Sequence, residues 1–387
     1  MIILNPGASK PFWAGNPLVY PKAIAHVPQL TAGDWVQVRD ASRVPIAYGF
    51  FNPHSLYRVR LIAWVQEMAQ ASSEQDVLRL RIAQAIQLRQ DLGLPNAHTN
   101  AYRLINSEGD KLSGLTVDLL GEVMVAHITA LWVYQRQALL SELLQAHFPT
   151  MKIIWRLNEN ALAQDGWQKQ AEEITKIPGH TVMIREHDLE YVIDPSQGQK
   201  TGFYCDQRET RLLVRELARG KNVLDACCFN GGFALNAAKG GALSVHGVDS
   251  SGPAILQAQK NAELNDVSIT FTEQDALQAL QTCTPQDLII LDPPKLAPSH
   301  KHLANAKRKY LQFNKAALNA LAPKGYLLTC SCSQAMSVAD LTGVLLEAAL
   351  ACQKNIQILK IGSAGPDHPQ ALAFSYNHYL KWILVRI

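Results

Sequence analysis

The chain has no cysteine before position 205, and the seven it does have (Cys205, Cys227, Cys228, Cys283, Cys330, Cys332 and Cys352) form an odd set without one CxxC pair. That distribution argues against a disulfide framework and against a zinc site, so we expect no metal. Long apolar runs are missing as well: none approaches the roughly 20 residues that span a bilayer. The opening MIILNPGASKPFWAGNP has no basic stretch leading into an apolar one. We therefore expect a cytoplasmic protein without a signal peptide or membrane association. Charge of one sign is also scarce. A net charge of +3, from 36 basic and 33 acidic residues, permits an anionic partner without demanding one.

What is present is enough apolar residue, 48% of 387, to build full cores in two or three domains. Short β-like runs open the chain: Trp35 to Val38, Ile46 to Phe51, and Tyr57 to Trp64, punctuated by Gly33-Asp34 and Asn52-Pro53-His54. They predict a small β-barrel over residues 1–73. Side chains alternate along a strand, so Arg58 and Arg60 share a face that could touch a phosphate backbone, or simply be a solvated outer face. Ser72-Ser73 before Glu74 and Asp76 makes a helix N-cap, and Leu78, Ile82, Ala85 and Ile86 continue a helical stripe until Gly93 and Pro95 stop it. Residues 74–192 then read as this linking helix and an α+β domain, with strands near 122–129, 152–156 and 189–193 and a helix near 132–146. His187 reads as a turn residue there.

From residue 193 to the end the pattern changes. A polar, glycine-bounded loop (Gly198 to Tyr204) precedes a helix from Asp206, and strand and helix then alternate to about residue 350. That is the signature of a doubly wound α/β domain. The last two runs, Ile356 to Ile361 and Tyr379 to Ile387, follow one another without a helix and predict an antiparallel pair.

Two stretches carry the chemistry, VLDACCFNGGF (Val223 to Phe233) and LIILDPPKL (Leu288 to Leu296). Each is an apolar strand that delivers an aspartate, Asp225 or Asp292, to the carboxyl edge of a parallel sheet, where ligands bind. Gly231-Gly232 lets the backbone approach a ligand closely. The pair is not the GxGxxG of a dinucleotide site, since Cys227 and Phe229 stand where glycines would, so a pyrophosphate cradle is disfavoured. Asp249 could accept both ribose hydroxyls, and Asp275 could take an adenine amino group or merely cap a helix. Together they suit an adenosyl ligand without phosphates. The two prolines of Asp292-Pro293-Pro294-Lys295 stiffen the turn that holds Asp292. In the next strand Cys332 lies nearer the carboxyl edge than Cys330, which makes it the candidate nucleophile. The other cysteines read as small buried hydrophobes.

At these residues the sequence resembles the bacterial S-adenosylmethionine-dependent methyltransferases that form 5-methylcytosine in large-subunit ribosomal RNA. The resemblance runs through GDWVQV and GFFNPHSLYRVR, RLINSEGDKLSGLTVD and REHDLEYVID, and then GQKTGFYCDQRETR, FNGGF, VDSS, LDPPK, SCS and HYLK. It implies an α/β class I (Rossmann-like) methyltransferase domain at 193–387, behind an N-terminal PUA-like β-barrel at 1–73 and a middle EEHD-like α+β domain. It also implies that Gln199, Lys200, Thr201, Asp225, Gly231, Gly232, Asp249, Asp275 and Asp292 bind S-adenosylmethionine, with Cys332 and Asp292 catalytic. Arg58, Arg60 and Lys295 are the expected RNA contacts. The sequence departs from the family at Cys227-Cys228-Phe229-Asn230, where Phe-Ser-Tyr-Thr is usual, and at Cys330, where an apolar residue is common. Methylation of a guanine nitrogen, which needs no cysteine, and a decayed RNA-binding assembly factor are the alternatives. Edge strands of the barrel could pair a homodimer across a twofold axis.

Overall fold

The run from Trp35 to Trp64 forms the strands its alternation predicts. Trp35–Arg39, Pro45–Phe51 and Val59–Trp64 pair antiparallel in succession within a six-stranded sheet. One face packs Ile2, Leu4, Val36, Val38, Ile46 and Leu61 into a core of the barrel's own. The other face is not solvated. Phe50, Ile62 and Ala63 join a second core shared with Leu78, Ile82, Leu104 and Trp132 of the following segment. Phe50 lies stacked on Trp132, with ring centroids 4.3 Å apart and planes 7° from parallel. Val59–Trp64 is consequently buried along its whole length.

The helix Glu74–Asp91 starts where its cap places it: the Ser73 hydroxyl accepts from the Asp76 amide at 3.1 Å, and the Asp76 carboxylate accepts from the Ser73 amide at 3.2 Å. It covers a four-stranded sheet ordered Lys152–Leu157, Val123–Ile128, Leu115–Leu120, Ala101–Asn106. The expected helix near 132–146 is broken into Leu131–Gln135 and Gln137–Gln145 at Arg136. The guanidinium of Arg136 donates to the Gly33 carbonyl at 2.8 Å and lies 4.4 Å over the Phe50 ring, an added tie to the barrel.

This computed structural model describes residues 1–69, 71–168, 181–195, 202–374 and 379–387. The chain divides into two units. The barrel and middle segment form one (residues 1–182, 194–205 and 366–377), and residues 183–193, 206–365 and 378–387 form the other. Residues 366–377 are held in the first unit by Asp367, which accepts from the Arg103 amide at 2.9 Å and, through its carbonyl, from the Arg89 guanidinium at 2.7 Å. The hairpin Val182–Glu186 and Leu189–Ile193, placed by sequence in the middle segment, packs with the second unit. Asn261 and Asn265 receive the amides of Val192 and Glu190 at 3.0 and 2.8 Å. Inside the hairpin, the buried Glu186 carboxylate takes both arms of Arg211 at 2.6 Å.

In the second unit we number the strands β1 (Asn222–Asp225), β2 (Ser244–Asp249), β3 (Thr270–Glu273), β4 (Gln286–Leu291), β5 (Leu321–Ser331), β6 (Gln357–Ser363) and β7 (Lys381–Arg386). Their order is β3-β2-β1-β4-β5-β7-β6. The first five are parallel, and β7 runs antiparallel to both β5 and β6. The expected antiparallel ending is thus present. Helices α1 (Arg208–Leu217), α2 (Gly232–Lys239), α3 (Gly252–Leu264), α4 (Ala276–Thr282), α5 (Leu303–Ala320) and α6 (Val338–Ala351) cover the sheet. The chain reverses direction of winding between β1 and β4, which opens a crevice at their carboxyl ends. Among the described residues no helix is long and apolar enough to cross a membrane.

Candidate active site

Asp225 ends β1 with no exposed surface. One carboxylate oxygen accepts from the Ala234 amide in the first turn of α2 at 3.1 Å, and the other, Oδ1, has no hydrogen-bond partner within 3.5 Å among the described residues. Burial, reinforced by the negative charge of Asp292, pushes this carboxyl up to about 8. Gly231 caps α2 with φ +87°, and a Cβ there would meet Leu235 at 2.6 Å, so the turn requires glycine. Next to it Phe229 is also left-handed, at φ +50°. That position is held because its amide donates to Asp249 at 2.9 Å.

Asp249 is half-buried at the end of β2 and spends its other oxygen on the Ser251 amide at 3.0 Å. Asp275 is exposed and caps α4 through the Gln278 amide at 3.0 Å, so the cap reading describes what it does within the protein. The four acids still converge. The Cys227 thiol is pushed well up by burial and then by Asp292, Asp225, Asp249 and Asp275 together. Negative charge gathers around one turn, and burial together with that charge keeps Asp225 largely protonated at neutral pH. A positively charged ligand would relieve that repulsion.

Asp292 follows β4 and Cys332 follows the adjacent β5, so neighbouring parallel strands bring the two to one edge. Gln207, in the turn before α1, donates to Asp292 at 3.0 Å. β5 ends at Ser331, so Cys330 lies within the strand and Cys332 just past it. Cys330 is fully buried in the core with Val223, Phe233 and Leu384. Burial, with Asp292 next, pushes its thiol well above the ordinary value. Cys332 is partly exposed just beyond the strand. Tyr310 of α5 is buried beside both groups, its hydroxyl pushed up by burial and further by Cys332 and Asp292.

Arg60, one of the expected RNA contacts, is buried. Its strand face is covered by the middle segment, leaving the residue 8% exposed. Its guanidinium donates to Ser113 at 2.8 Å and lies 3.8 Å from Glu108, 3.9 Å from Asp165 and 4.9 Å from the Tyr57 ring. Arg58 is half-exposed and folds back onto the Pro53 carbonyl, while Lys295 is exposed. Gln199, Lys200 and Thr201 lie outside the described residues. No group of three or more His, Cys, Asp or Glu able to hold a metal ion occurs among the described residues.

Four polar residues near this edge were not singled out from sequence. Gln207 braces Asp292, and Asp206 accepts from the Tyr379 hydroxyl at 2.6 Å. Lys381, 3% exposed, donates to the Ser333 carbonyl at 2.7 Å and to that of Met336. All four lie in the runs CDQR and HYLK, which marked the resemblance and were the available signal.

Residues 2–64 match the model of a PUA-like domain, and residues 162–370 match that of S-adenosylmethionine-dependent methyltransferases. The ribosomal RNA large subunit methyltransferase I of Pseudoalteromonas atlantica is 30% identical over all of this chain and 99% of its own. That of Tolumonas auensis is 33% identical over all of this chain and 98% of its own. Among solved structures, one described as a SAM-dependent methyltransferase from Streptococcus mutans superposes with a TM-score of 0.81 at 18% identity, covering 100% of this chain and 99% of that one. Another, a methyltransferase complexed with SAH, reaches 0.83 at 18% identity with the same coverage. With an acid-lined crevice at the β1/β4 edge and full-length relatives of one kind, the chain belongs to the ribosomal RNA large subunit methyltransferase I family, whose cofactor is S-adenosylmethionine.

Proposed function

We propose that this chain methylates carbon 5 of a cytosine in large-subunit ribosomal RNA, with Cys332 as the nucleophile. The observation that carries the reading is the pairing of a partly exposed thiol with a carboxylate at adjacent strand ends, Cys332 after β5 and Asp292 after β4. Cys330 is sealed in the core, and Cys227 stands among four carboxylates that oppose its ionisation. Cys332 is the thiol left to react. The named activity of the full-length relatives supports ribosomal RNA as substrate.

S-adenosylmethionine suits the crevice because its positive charge answers the acid cluster and the orphaned Asp225 oxygen. Asp225, Asp249, Asp275, Gly231 and Gly232 would hold it, and the resemblance adds Gln199, Lys200 and Thr201. Bound there, it supplies an electrophilic methyl group on a sulfonium. The Cys332 thiolate adds to carbon 6 of a cytosine drawn out of its stack, which places electron density on carbon 5 for methyl transfer. Asp292, oriented by Gln207, hydrogen-bonds the polar edge of the base. Loss of the carbon 5 proton then returns the electron pair that expels Cys332. Arg58 and Lys295 supply cations for the phosphate backbone.

The test is covalent trapping on ribosomal RNA containing 5-azacytidine, with S-adenosylmethionine present. A complex stable in denaturant, lost in Cys332→Ser and kept in Cys330→Ser, is expected. Methyl transfer intact in both variants with no complex would sink the cysteine route in favour of methylation at a guanine nitrogen. Absence of cofactor binding would indicate a decayed enzyme.

A further inference from the structure

Lys381 begins β7 and is paired in register with Ser331, the last residue of β5. Its side chain turns inward and is 3% exposed. Its ammonium donates to two neutral groups, the carbonyls of Ser333 and Met336, which lie one and four residues past Cys332. Among the described residues no carboxylate forms an ion pair with it. The nearest acid by influence, Asp340 at the start of α6, is committed elsewhere. It takes the Lys307 ammonium of α5 at 2.5 Å and the Ser337 hydroxyl and amide, which hold it at about 2 against the opposing effect of burial. A buried ammonium without an anion is expensive, and proteins usually pair or neutralise such a charge.

Among the described residues, the ionisable groups that act on one another around this turn include Cys332, Cys330 of β5, Tyr310 from α5 and Asp292 from the end of β4. Tyr310 is neutral because burial pushes its hydroxyl up. Asp292 is an anion-forming group that raises neighbouring thiols, as it does Cys330. A thiolate at Cys332 therefore needs a cation to offset Asp292. Lys381 is the buried cation in place, and Cys332 is the first of the two groups that favour its charged form.

We infer that Lys381 is the positioning residue of the nucleophile: its ammonium clamps the Ser333–Met336 turn that aims Cys332 and serves as the counter-charge for the thiolate. The inference rests on Cys332 being the reacting thiol. It assigns no contact between Lys381 and RNA or cofactor.

Burial also pulls Lys381 down to about 8, against the pull of Cys332 and Asp340. The experiment is the pH profile of Cys332 alkylation by iodoacetamide, read by mass spectrometry of the Cys332 peptide in the full chain. Wild-type protein should react with a midpoint below the ordinary thiol value of about 8.5. In Lys381→Met the midpoint should move up by about one unit, slowing alkylation at pH 7 about tenfold, while Lys381→Arg restores it. S-adenosylmethionine binding checks that each variant is folded. A wild-type midpoint at or above about 8.5 overturns the inference without any variant. So does a folded Lys381→Met whose profile overlays the wild type. Failure of the cysteine route would show separately, as methyl transfer surviving Cys332→Ser, whatever the alkylation profile.

Discussion

Replacing Arg60 with alanine should unfold the first unit more easily and leave intrinsic RNA affinity nearly unchanged. The guanidinium is enclosed between the barrel strand Val59–Trp64 and the middle segment. Its loss removes a charged hydrogen bond to Ser113, of the kind that contributes about 1.5–3 kcal/mol. It also removes a stacking contact with Tyr57 of about 0.5–1 kcal/mol. Glu108 and Asp165 would lose a nearby counter-charge, although at 3.8 and 3.9 Å the pairs are long and add little. About 3 kcal/mol is a reasonable total, which for a unit of this size corresponds to a melting shift of roughly 6–12 °C.

The assay pairs thermal or urea unfolding with filter binding to ribosomal RNA, on Arg60→Ala and Arg58→Ala side by side. Arg58→Ala should do the reverse, with stability within about 0.5 kcal/mol of wild type and a shallower dependence of RNA binding on salt. An Arg60→Ala protein that melts like the wild type but binds RNA several-fold more weakly would refute the reasoning. It would mean that the buried guanidinium becomes accessible to phosphate.

Other outcomes follow from the same geometry. Gly231→Ala forces a Cβ into Leu235 at a left-handed residue, so S-adenosylmethionine affinity measured by calorimetry should fall at least tenfold while the rest of the fold survives. The folded-state pKa of Asp225 is raised to about 8, so its contribution to stability is full below about 4 and is lost as pH rises toward 8. A cationic ligand prefers the ionised form. The melting-temperature gain on adding S-adenosylmethionine should therefore be larger at pH 8 than at pH 6, and Asp225→Asn should flatten that difference. Phe50→Ala removes a ring stacked on Trp132 and packed under Arg136 and should cost about 3–5 kcal/mol, measured by urea unfolding.

The second unit was legible because its information is local. A run of apolar residues ending in Asp225 or Asp292 states both the strand and the edge to which it points, and a two-residue glycine turn states what must come close. The broken helix at Arg136 and the covered face of Val59–Trp64 were not legible for one shared reason. Alternation tells which residues share a face but is silent on what lies against it. Arg60 looks the same in sequence whether it meets water, phosphate or Ser113. The helix Glu74–Asp91 shows the same blindness. Its apolar stripe was plain, yet it also buries Arg81 and Arg89, whose partners Glu67 and Asp110 lie 14 and 21 residues away.

The crevice edge is electrically divided, and the division follows strand order. Acids stand at the ends of β1, β2 and β4 and beyond β3, where a cationic cofactor would be held; the buried Lys381 stands across β5, where the proposed Cys332 thiolate would form. Neither half would serve in the other's place. A lysine among the four acids would cancel the field that favours a sulfonium, and a fifth acid beside Cys332 would hold its thiol neutral at physiological pH. Asp292 lies at the boundary and feels both. If so, Asp292→Asn should have two separable effects. It should weaken S-adenosylmethionine binding, by removing one of four carboxylates, and it should lower the alkylation midpoint of Cys332, by removing the charge that opposes its thiolate. A variant that binds cofactor less tightly but leaves the Cys332 midpoint in place would show that the two halves of the site do not communicate through Asp292.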